Sequence, residues 1–168
     1  EVILLKGTAM AQLGKIKDAE KLFDIALAKT EEDKVDILIN ISVAFENARK
    51  YNLAIKYLKM AFELDPSNLS VLYDLGFYYE RQHNYSASIE FYDKYLNEDP
   101  FSDNVWYNIG VVYYKINKPL KALEAYDYAI AINPSYASAY FNKANLYAND
   151  SDYSNAVRIY KEFLDLEP

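Results

Sequence analysis

The sequence predicts an all-α protein, a solenoid of stacked antiparallel helix pairs, and three observations lead to this fold class. Prolines recur every 34 residues, at Pro66, Pro100, Pro134 and Pro168. The 168 residues include only 4 glycines and 5 prolines, which is little material for the turns of a many-stranded β protein. Within each 34-residue copy, apolar residues follow the spacing of one helix face rather than the alternation of a strand.

Several columns of similar residues keep this 34-residue register, which identifies a repeat protein. The clearest columns hold a small residue (Ser42, Gly76, Gly110, Ala144), an aromatic residue (Phe45, Tyr79, Tyr113, Tyr147) and a second small residue (Ala54, Ser88, Ala122, Ala156). An earlier copy around Gly7 and Phe23 precedes them, with one extra residue before the next copy. We therefore predict one array over residues 1–168, with repeats at about 1–34, 35–68, 69–102, 103–136 and 137–168.

The fourth copy shows why each repeat is expected to form two helices. Trp106, Ile109 and Gly110 follow the i, i+3, i+4 spacing of one helix face. Pro119 stands where the first turn of a second helix tolerates proline. Pro134 ends that helix, because proline has no N–H and disfavours helix in the residue before it. The missing side chain at Gly110 predicts that the two helices of the pair approach closely there.

Residues 106–134, WYNIGVVYYKINKPLKALEAYDYAIAINP, resemble a tetratricopeptide repeat in the spacing of their aromatic, small and proline positions. The resemblance extends over the whole chain as five repeats. It implies a right-handed superhelix in which the first helix of each pair lines a concave groove. It also implies a surface that binds other proteins, with no catalysis by the repeats themselves.

One groove column, two residues before the small residue, holds amides and one carboxylate: Asn40, Asp74, Asn108 and Asn142. A carboxamide both donates and accepts hydrogen bonds, so such a column could hold a peptide backbone almost regardless of its sequence. The column resembles the asparagine ladder in the tetratricopeptide superhelix of O-linked N-acetylglucosamine transferases. Ionised Asp74 accepts but cannot donate, and it would favour a basic or amide-rich partner.

Aromatic and polar residues in neighbouring columns complete the predicted peptide-binding set: Tyr73, Tyr107, Phe141, Phe77 and Asn145. Aromatic side chains supply contact area with a polar tip, as in many interfaces. Two other interpretations stay open at this point. The asparagines could keep an exposed helix face hydrated or bridge neighbouring helices, and the aromatics could pack between adjacent first helices as part of the core.

Composition and motifs exclude several classes of function. A net charge of −7 disfavours a nucleic-acid binder, and no apolar run reaches the roughly 20 residues of a membrane span. The chain has no cysteine, no glycine-rich phosphate loop and no cluster at metal-ligand spacing, so we predict neither an enzyme nor a cofactor. His83 is expected to be a hydrated turn residue. The sequence leaves the compartment open and slightly favours the cytoplasm.

We predict a non-catalytic scaffold that binds an extended segment of a partner protein in the groove. The carboxylate clamp of chaperone co-factors is not expected, because the positions that would need cations hold none. Three alternatives are self-association through the ends, binding of a small ligand or glycan at the groove aromatics, and a role as the accessory arm of an enzyme encoded outside these repeats. Because both ends carry apolar helix residues without a polar cap, we expect a fragment of a longer array with weak end-to-end self-association.

Overall fold

A computed structural model describes residues 2–29 and 33–166, and ten helices occupy this part of the chain. They are α1 (Val2–Gln12), α2 (Ile16–Ala28), α3 (Lys34–Asn47), α4 (Tyr51–Leu64), α5 (Leu69–Arg81), α6 (Tyr85–Glu98), α7 (Asp103–Lys115), α8 (Pro119–Ile132), α9 (Ala137–Asn149) and α10 (Tyr153–Leu164). No strand occurs in the described residues, and the predicted all-α fold of helix pairs is confirmed. Pro168, which closes the predicted last repeat, lies outside the described residues.

The helices cluster into two compact units that divide within α6. Unit 1 ends at Phe91 and unit 2 begins at Tyr92. In unit 1, α1 packs on α2 and α3 packs on α4, whereas in unit 2 the packed pairs are α7 with α8 and α9 with α10. These pairs are those that the 34-residue pattern predicts. The prediction of one continuous array over the whole chain stays a prediction.

Aromatic rings fill the core of unit 1 where its helix pairs meet. The ring of Phe23 lies with its edge toward Phe45, at a centroid distance of 5.4 Å, and Phe45 stacks on Tyr57 at 5.5 Å. All three side chains are buried. Gly7 of α1 faces the ring of Phe23 so closely that a methyl group in its place would overlap the ring. The small residue of the first copy therefore serves the approach of α1 to α2.

Unit 2 uses the same device between α7 and α8. A Cβ atom on Gly110 would lie 2.5 Å from Cε1 of Tyr126, well inside van der Waals contact. Ala122 and Ala129 flank Tyr126 on α8, and all three are fully buried. The predicted close approach at Gly110 is confirmed, as is the start of α8 at Pro119.

The turn inside each helix pair contains one residue with left-handed backbone conformation. These residues are Gly14, Arg49, His83, Asn117 and Ser151, and they occupy the same repeat position. After α7, for example, the N–H of Lys118 donates to the carbonyl of Tyr113 at 2.9 Å, which satisfies a carbonyl at the helix end. His83 is exposed in its turn, and its Nδ1 lies 2.9 Å from the hydroxyl of Tyr85.

Candidate functional site

Side chains of α7 and α9 are joined by two parallel hydrogen bonds in unit 2. The Nδ2 of Asn142 donates to the hydroxyl of Tyr107 at 3.1 Å, and the Nδ2 of Asn149 donates to the hydroxyl of Tyr114 at 3.2 Å. Each pair is 35 residues apart in sequence, and the two pairs are separated by seven residues, or two helical turns, on both helices. The first helices of successive repeats are thus connected through amide and phenol groups.

A third amide lies between these two on α9. The Oδ1 of Asn145 accepts a hydrogen bond of 3.0 Å from the hydroxyl of Tyr160 on α10. Each asparagine therefore uses one end of its amide on a tyrosine, and within the described part of the chain the other end makes no side-chain hydrogen bond. These ends are the oxygens of Asn142 and Asn149 and the nitrogen of Asn145.

The three amides border a cleft of about 240 Å³, which we call the amide cleft. Its lining residues are Val111, Tyr114, Tyr126, Asn142, Asn145, Leu146 and Asn149. None of these lining residues is charged at neutral pH, since the only ionisable group among them is phenol. Burial raises the pKa of Tyr126 strongly, Tyr107 adds to the rise, and hydrogen bonding to Asn142 opposes it. The amide cleft therefore offers hydrogen-bond donors, acceptors and apolar surface without a fixed charge.

Carboxylates take the corresponding place in unit 1, on α3 and α5. The hydroxyl of Tyr78 donates to Oε2 of Glu46 at 2.9 Å, which links the two helices. Burial raises the pKa of Asp74 to about 6, and the nearby negative charge of Glu46 contributes to the rise. Asp74 consequently changes its charge close to neutral pH, whereas the amide cleft stays neutral.

A cation covers part of the unit 1 aromatic surface. The guanidinium carbon of Arg81 lies 5.9 Å from the ring centre of Phe77 and 5.8 Å from that of Tyr51. Such distances allow cation–π attraction. Phe77, a predicted peptide-binding residue, is partly exposed. Its exposed surface therefore lies next to a positive charge and is not purely apolar.

The structure places all nine predicted peptide-binding residues on first helices and brings some of them into contact. Within unit 2 it joins Tyr107 to Asn142 directly, which is the bridging arrangement that the sequence left open as an alternative. Phe141 is 56% exposed, and its ring centre lies 6.3 Å from that of Tyr160. The remaining members are exposed (Asn40) or partly exposed (Tyr73, Asp74, Phe77, Asn108, Asn145). Their role in peptide binding stays a prediction.

The prediction omitted three residues that the geometry makes central: Tyr114, Asn149 and Glu46. Two of them carry a recognisable signal, because Tyr114 comes seven residues after Tyr107 and Asn149 comes seven residues after Asn142. A seven-residue step returns to the same helix face. Glu46 gave no such signal, since its importance depends on Tyr78 and Asp74 from another helix.

The described residues contain no group of three or more His, Cys, Asp or Glu side chains that could hold a metal ion. In the same part of the chain, no helix has both the length and the apolar character needed to cross a membrane.

Comparison with protein families gives matches along most of the sequence, all to models described as the tetratricopeptide repeat. One model matches residues 4–68 and 39–103, a second matches residues 104–136, and a third matches residues 125–158. No curated protein matches the chain.

Several solved structures share the fold at low sequence identity. A crystal structure of MamA has a TM-score of 0.80 and 23% identity, and the match covers 95% of this chain and 92% of that chain. A second MamA structure has a TM-score of 0.80 and 22% identity, with coverages of 98% and 89%. MamA from residue 41 to its end, from Desulfovibrio magneticus RS-1, has a TM-score of 0.79 and 16% identity, with coverages of 99% and 93%. At these identities the likeness shows the fold alone.

Proposed function

Because the chain belongs to the tetratricopeptide repeat family, whose arrays are protein-interaction scaffolds, we propose that it binds an extended segment of a partner protein on its first helices. The family is generally non-catalytic, and no catalytic role is proposed for this chain. The amide cleft of unit 2 is the surface that holds the segment in this proposed function.

The observation that carries this proposal is the set of half-used amides in the amide cleft. Asn142, Asn145 and Asn149 each spend one end on a tyrosine hydroxyl and keep the other for a ligand. A tyrosine partner also fixes the amide in one orientation, so less side-chain entropy is lost when a ligand binds. Peptide bonds present the N–H and C=O groups that such amide ends can pair with.

The spacing of the three amides suits an extended chain. On α9 they stand three and then four residues apart, which corresponds to about 4.5 Å and 6 Å along the helix. Their total span of about 10.5 Å equals roughly three residues of extended peptide at about 3.3 Å per residue. The amide cleft can therefore hold a short stretch of backbone, while side chains of the segment point away from it.

Unit 1 would select a different part of a partner by charge. Above pH 6 the carboxylate of Asp74 is ionised in the parent protein, and Glu46 adds a second negative charge. These groups favour a lysine, an arginine or an amide in the bound segment. Arg81 beside Phe77 disfavours another cation at that end of α5. Partner preference in unit 1 would accordingly depend on pH and salt more than in unit 2.

A selection from a phage-displayed library of random 12-residue peptides tests the proposal. Enriched peptides would be synthesised, and their Kd values measured by fluorescence anisotropy for the parent chain and for Asn142→Ala/Asn145→Ala. We expect the double variant to bind about 5- to 150-fold more weakly, or about 1–3 kcal/mol for two hydrogen-bonding groups. The double variant also loses the hydrogen bonds of Asn142 to Tyr107 and of Asn145 to Tyr160, so its free energy of unfolding should fall by about 1–3 kcal/mol. Binding is therefore measured at a temperature at which both proteins are fully folded.

Asn97→Ala provides the matched control, since Asn97 is an exposed asparagine on α6. This variant should bind the selected peptides with the affinity of the parent. Equal affinity of the parent and the double variant, or a failure to enrich any peptide, would overturn the proposed peptide site.

A further inference from the structure

A second cleft of about 410 Å³ adjoins the amide cleft at the edge of unit 2. We call it the edge cleft, and its lining residues are Tyr114, Asn117, Pro119, Leu120, Leu123, Leu146, Tyr147, Asn149 and Asp150. Tyr114, Leu146 and Asn149 line both clefts. The two clefts are therefore neighbours that share one wall, which includes the hydrogen bond between Asn149 and Tyr114.

The same edge in unit 1 has polar chemistry. The ring of Tyr51 lies 6.1 Å from that of Tyr78, and the Nε2 of Gln82 donates to Oδ1 of Asn52 at 2.5 Å. A cleft of about 420 Å³ at this edge is lined by Arg49, Lys50, Tyr51, Asn52, Leu53 and Gln82. The edge of unit 1 is thus lined mainly by cations and amides, and a hydrogen bond joins two of these residues, Gln82 and Asn52.

The equivalent positions of unit 2, which lie 68 residues later in the sequence, hold apolar residues instead. Pro119 and Leu120 stand at the positions of Tyr51 and Asn52, and Leu146 stands at that of Tyr78. Without the tyrosine ring and the amide pair, the edge cleft is lined mainly by leucine, proline and tyrosine.

Leu120 is the exceptional residue of this edge. Its repeat position holds polar residues in the other copies: Lys17, Asn52, Ser86 and Ser154. Leu120 itself is 80% exposed. A single exposed leucine needs no explanation, but one that projects beside Leu123 and Leu146 at the mouth of a cleft provides a docking surface for an apolar side chain.

Asp150 is the one charged residue among those that line the edge cleft, and no ion pair with it occurs in the described part of the chain. It would attract a lysine or arginine next to the apolar group and repel an acidic residue. The net charge of −7 also disfavours a second copy of this acidic chain as the occupant.

We propose that the segment held in the amide cleft inserts one large apolar side chain, of the leucine, methionine or phenylalanine class, into the edge cleft beside Leu120. A lysine or arginine flanks that side chain and faces Asp150. This inference rests on the proposed peptide site and adds to it a preference for one side chain. Because Tyr114 and Asn149 line both clefts, the apolar residue is expected close in sequence to the gripped backbone.

The test compares random 12-residue peptides selected in parallel on the parent chain and on three variants. Leu120→Ser introduces the residue that two other copies have at this position, Asn142→Ala/Asn145→Ala disables the amide cleft, and Leu64→Ser changes an exposed leucine on α4 as a control. We expect the parent and Leu64→Ser to enrich one fixed apolar position flanked by a basic residue. Selection on Leu120→Ser should lose the apolar preference.

Affinities then measure the coupling between the two side chains. Replacing the apolar residue of a selected peptide by alanine should weaken binding to the parent by about 10-fold or more, and binding to Leu120→Ser by much less. An unchanged apolar preference on Leu120→Ser, or no such preference on the parent, would overturn the edge-cleft inference while the asparagine dependence keeps the peptide site intact. If no selected peptide depends on the asparagines, the proposed peptide site fails and the inference fails with it.

Discussion

The first helices of units 1 and 2 have the same repeat positions but expose different chemistry. Asp74 and Glu46 in unit 1 correspond to Asn142 and Tyr114 in unit 2, and Arg81 corresponds to Asn149. Unit 1 connects its helices through a phenol–carboxylate hydrogen bond, whereas unit 2 uses two amide–phenol hydrogen bonds. One unit therefore presents fixed and titratable charge and the other presents neutral polar groups.

The buried columns vary in a more restricted way. Ala54 and Ala122 are identical at one position, while Ser42 and Gly110 are both small and fully buried at another. Tyr126 on α8 faces Gly110, and Leu58 stands at the position of Tyr126 in unit 1, so the larger side chain faces the residue without a Cβ. In the core, the size of one side chain limits the size of the side chain that faces it. On the exposed face, charged, aromatic and amide residues replace one another between the units, and these residues determine what each unit can bind.

The largest expected effect comes from breaking that packing rule in unit 2. Gly110→Leu should destabilise the protein by about 3 kcal/mol or more, because even a Cβ atom at this position lies 2.5 Å from Tyr126. Urea unfolding followed by circular dichroism measures the loss. Ala137→Leu, at an exposed position on α9, should leave the unfolding midpoint nearly unchanged.

Gly110→Ser sharpens the test, because serine occupies the same position in unit 1 as Ser42. It should destabilise unit 2 by a smaller amount, and a second change, Tyr126→Leu, should restore part of the loss by reproducing the unit 1 pair. If Gly110→Leu unfolds at the urea concentration of the parent, the assigned contact between α7 and α8 is wrong.

The next effect concerns the titrating carboxyl of unit 1. The pKa of Asp74 is raised from 3.8 to about 6, so the folded protein binds this proton more tightly than the unfolded chain does. Its contribution to stability is therefore greatest in acid and is lost as pH rises from about 4 to about 6. Asp74→Asn should raise the free energy of unfolding at pH 7 by about 1–2 kcal/mol. A shift of about two pKa units corresponds to about 3 kcal/mol in full, and the expected gain is smaller because the side chain is partly exposed.

Urea unfolding of the parent and Asp74→Asn at several values between pH 4 and pH 7.5 checks this expectation. The difference in stability should widen with pH and level off above about pH 6.5. The converse change, Asn142→Asp, should create a similar pH-dependent loss in unit 2. Parallel stability profiles for the parent and Asp74→Asn would show that Asp74 ionises as it does in the unfolded chain.

Much of the fold could be predicted from the sequence because the same small, aromatic and proline positions recur in successive copies. Prolines and the small-residue columns locate the helix ends and the close approach at Gly110, and the structure has both. These features depend on residues near one another in the chain. The 34-residue register then extends each local inference to the next copy.

The site was less predictable because its contacts join different repeats. The register found Tyr107 and Asn142 as members of neighbouring columns, yet nothing in the columns shows that the two side chains bond to each other. The raised pKa of Asp74 depends on burial and on Glu46, 28 residues earlier. The edge cleft could not be predicted either. The sequence shows that Leu120 is unusual at its repeat position, but it does not show that Leu123 and Leu146 lie beside it.

The smallest expected effect compares the turns of the two units. Arg49 and Asn117 occupy the same turn position with φ of 56° and 57°, a conformation that glycine adopts without strain and asparagine tolerates better than arginine. Arg49→Gly should therefore stabilise the protein by about 0.5–1 kcal/mol, and Asn117→Gly by at most a few tenths. Thermal unfolding measures the two changes in stability.

Lys50→Gly is the matched control, because the φ of Lys50, −103°, suits any residue and glycine there only adds freedom to the unfolded chain. Stabilisation by Lys50→Gly as large as that by Arg49→Gly would mean that the gain comes from losing a lysine or arginine charge rather than from relieved backbone strain.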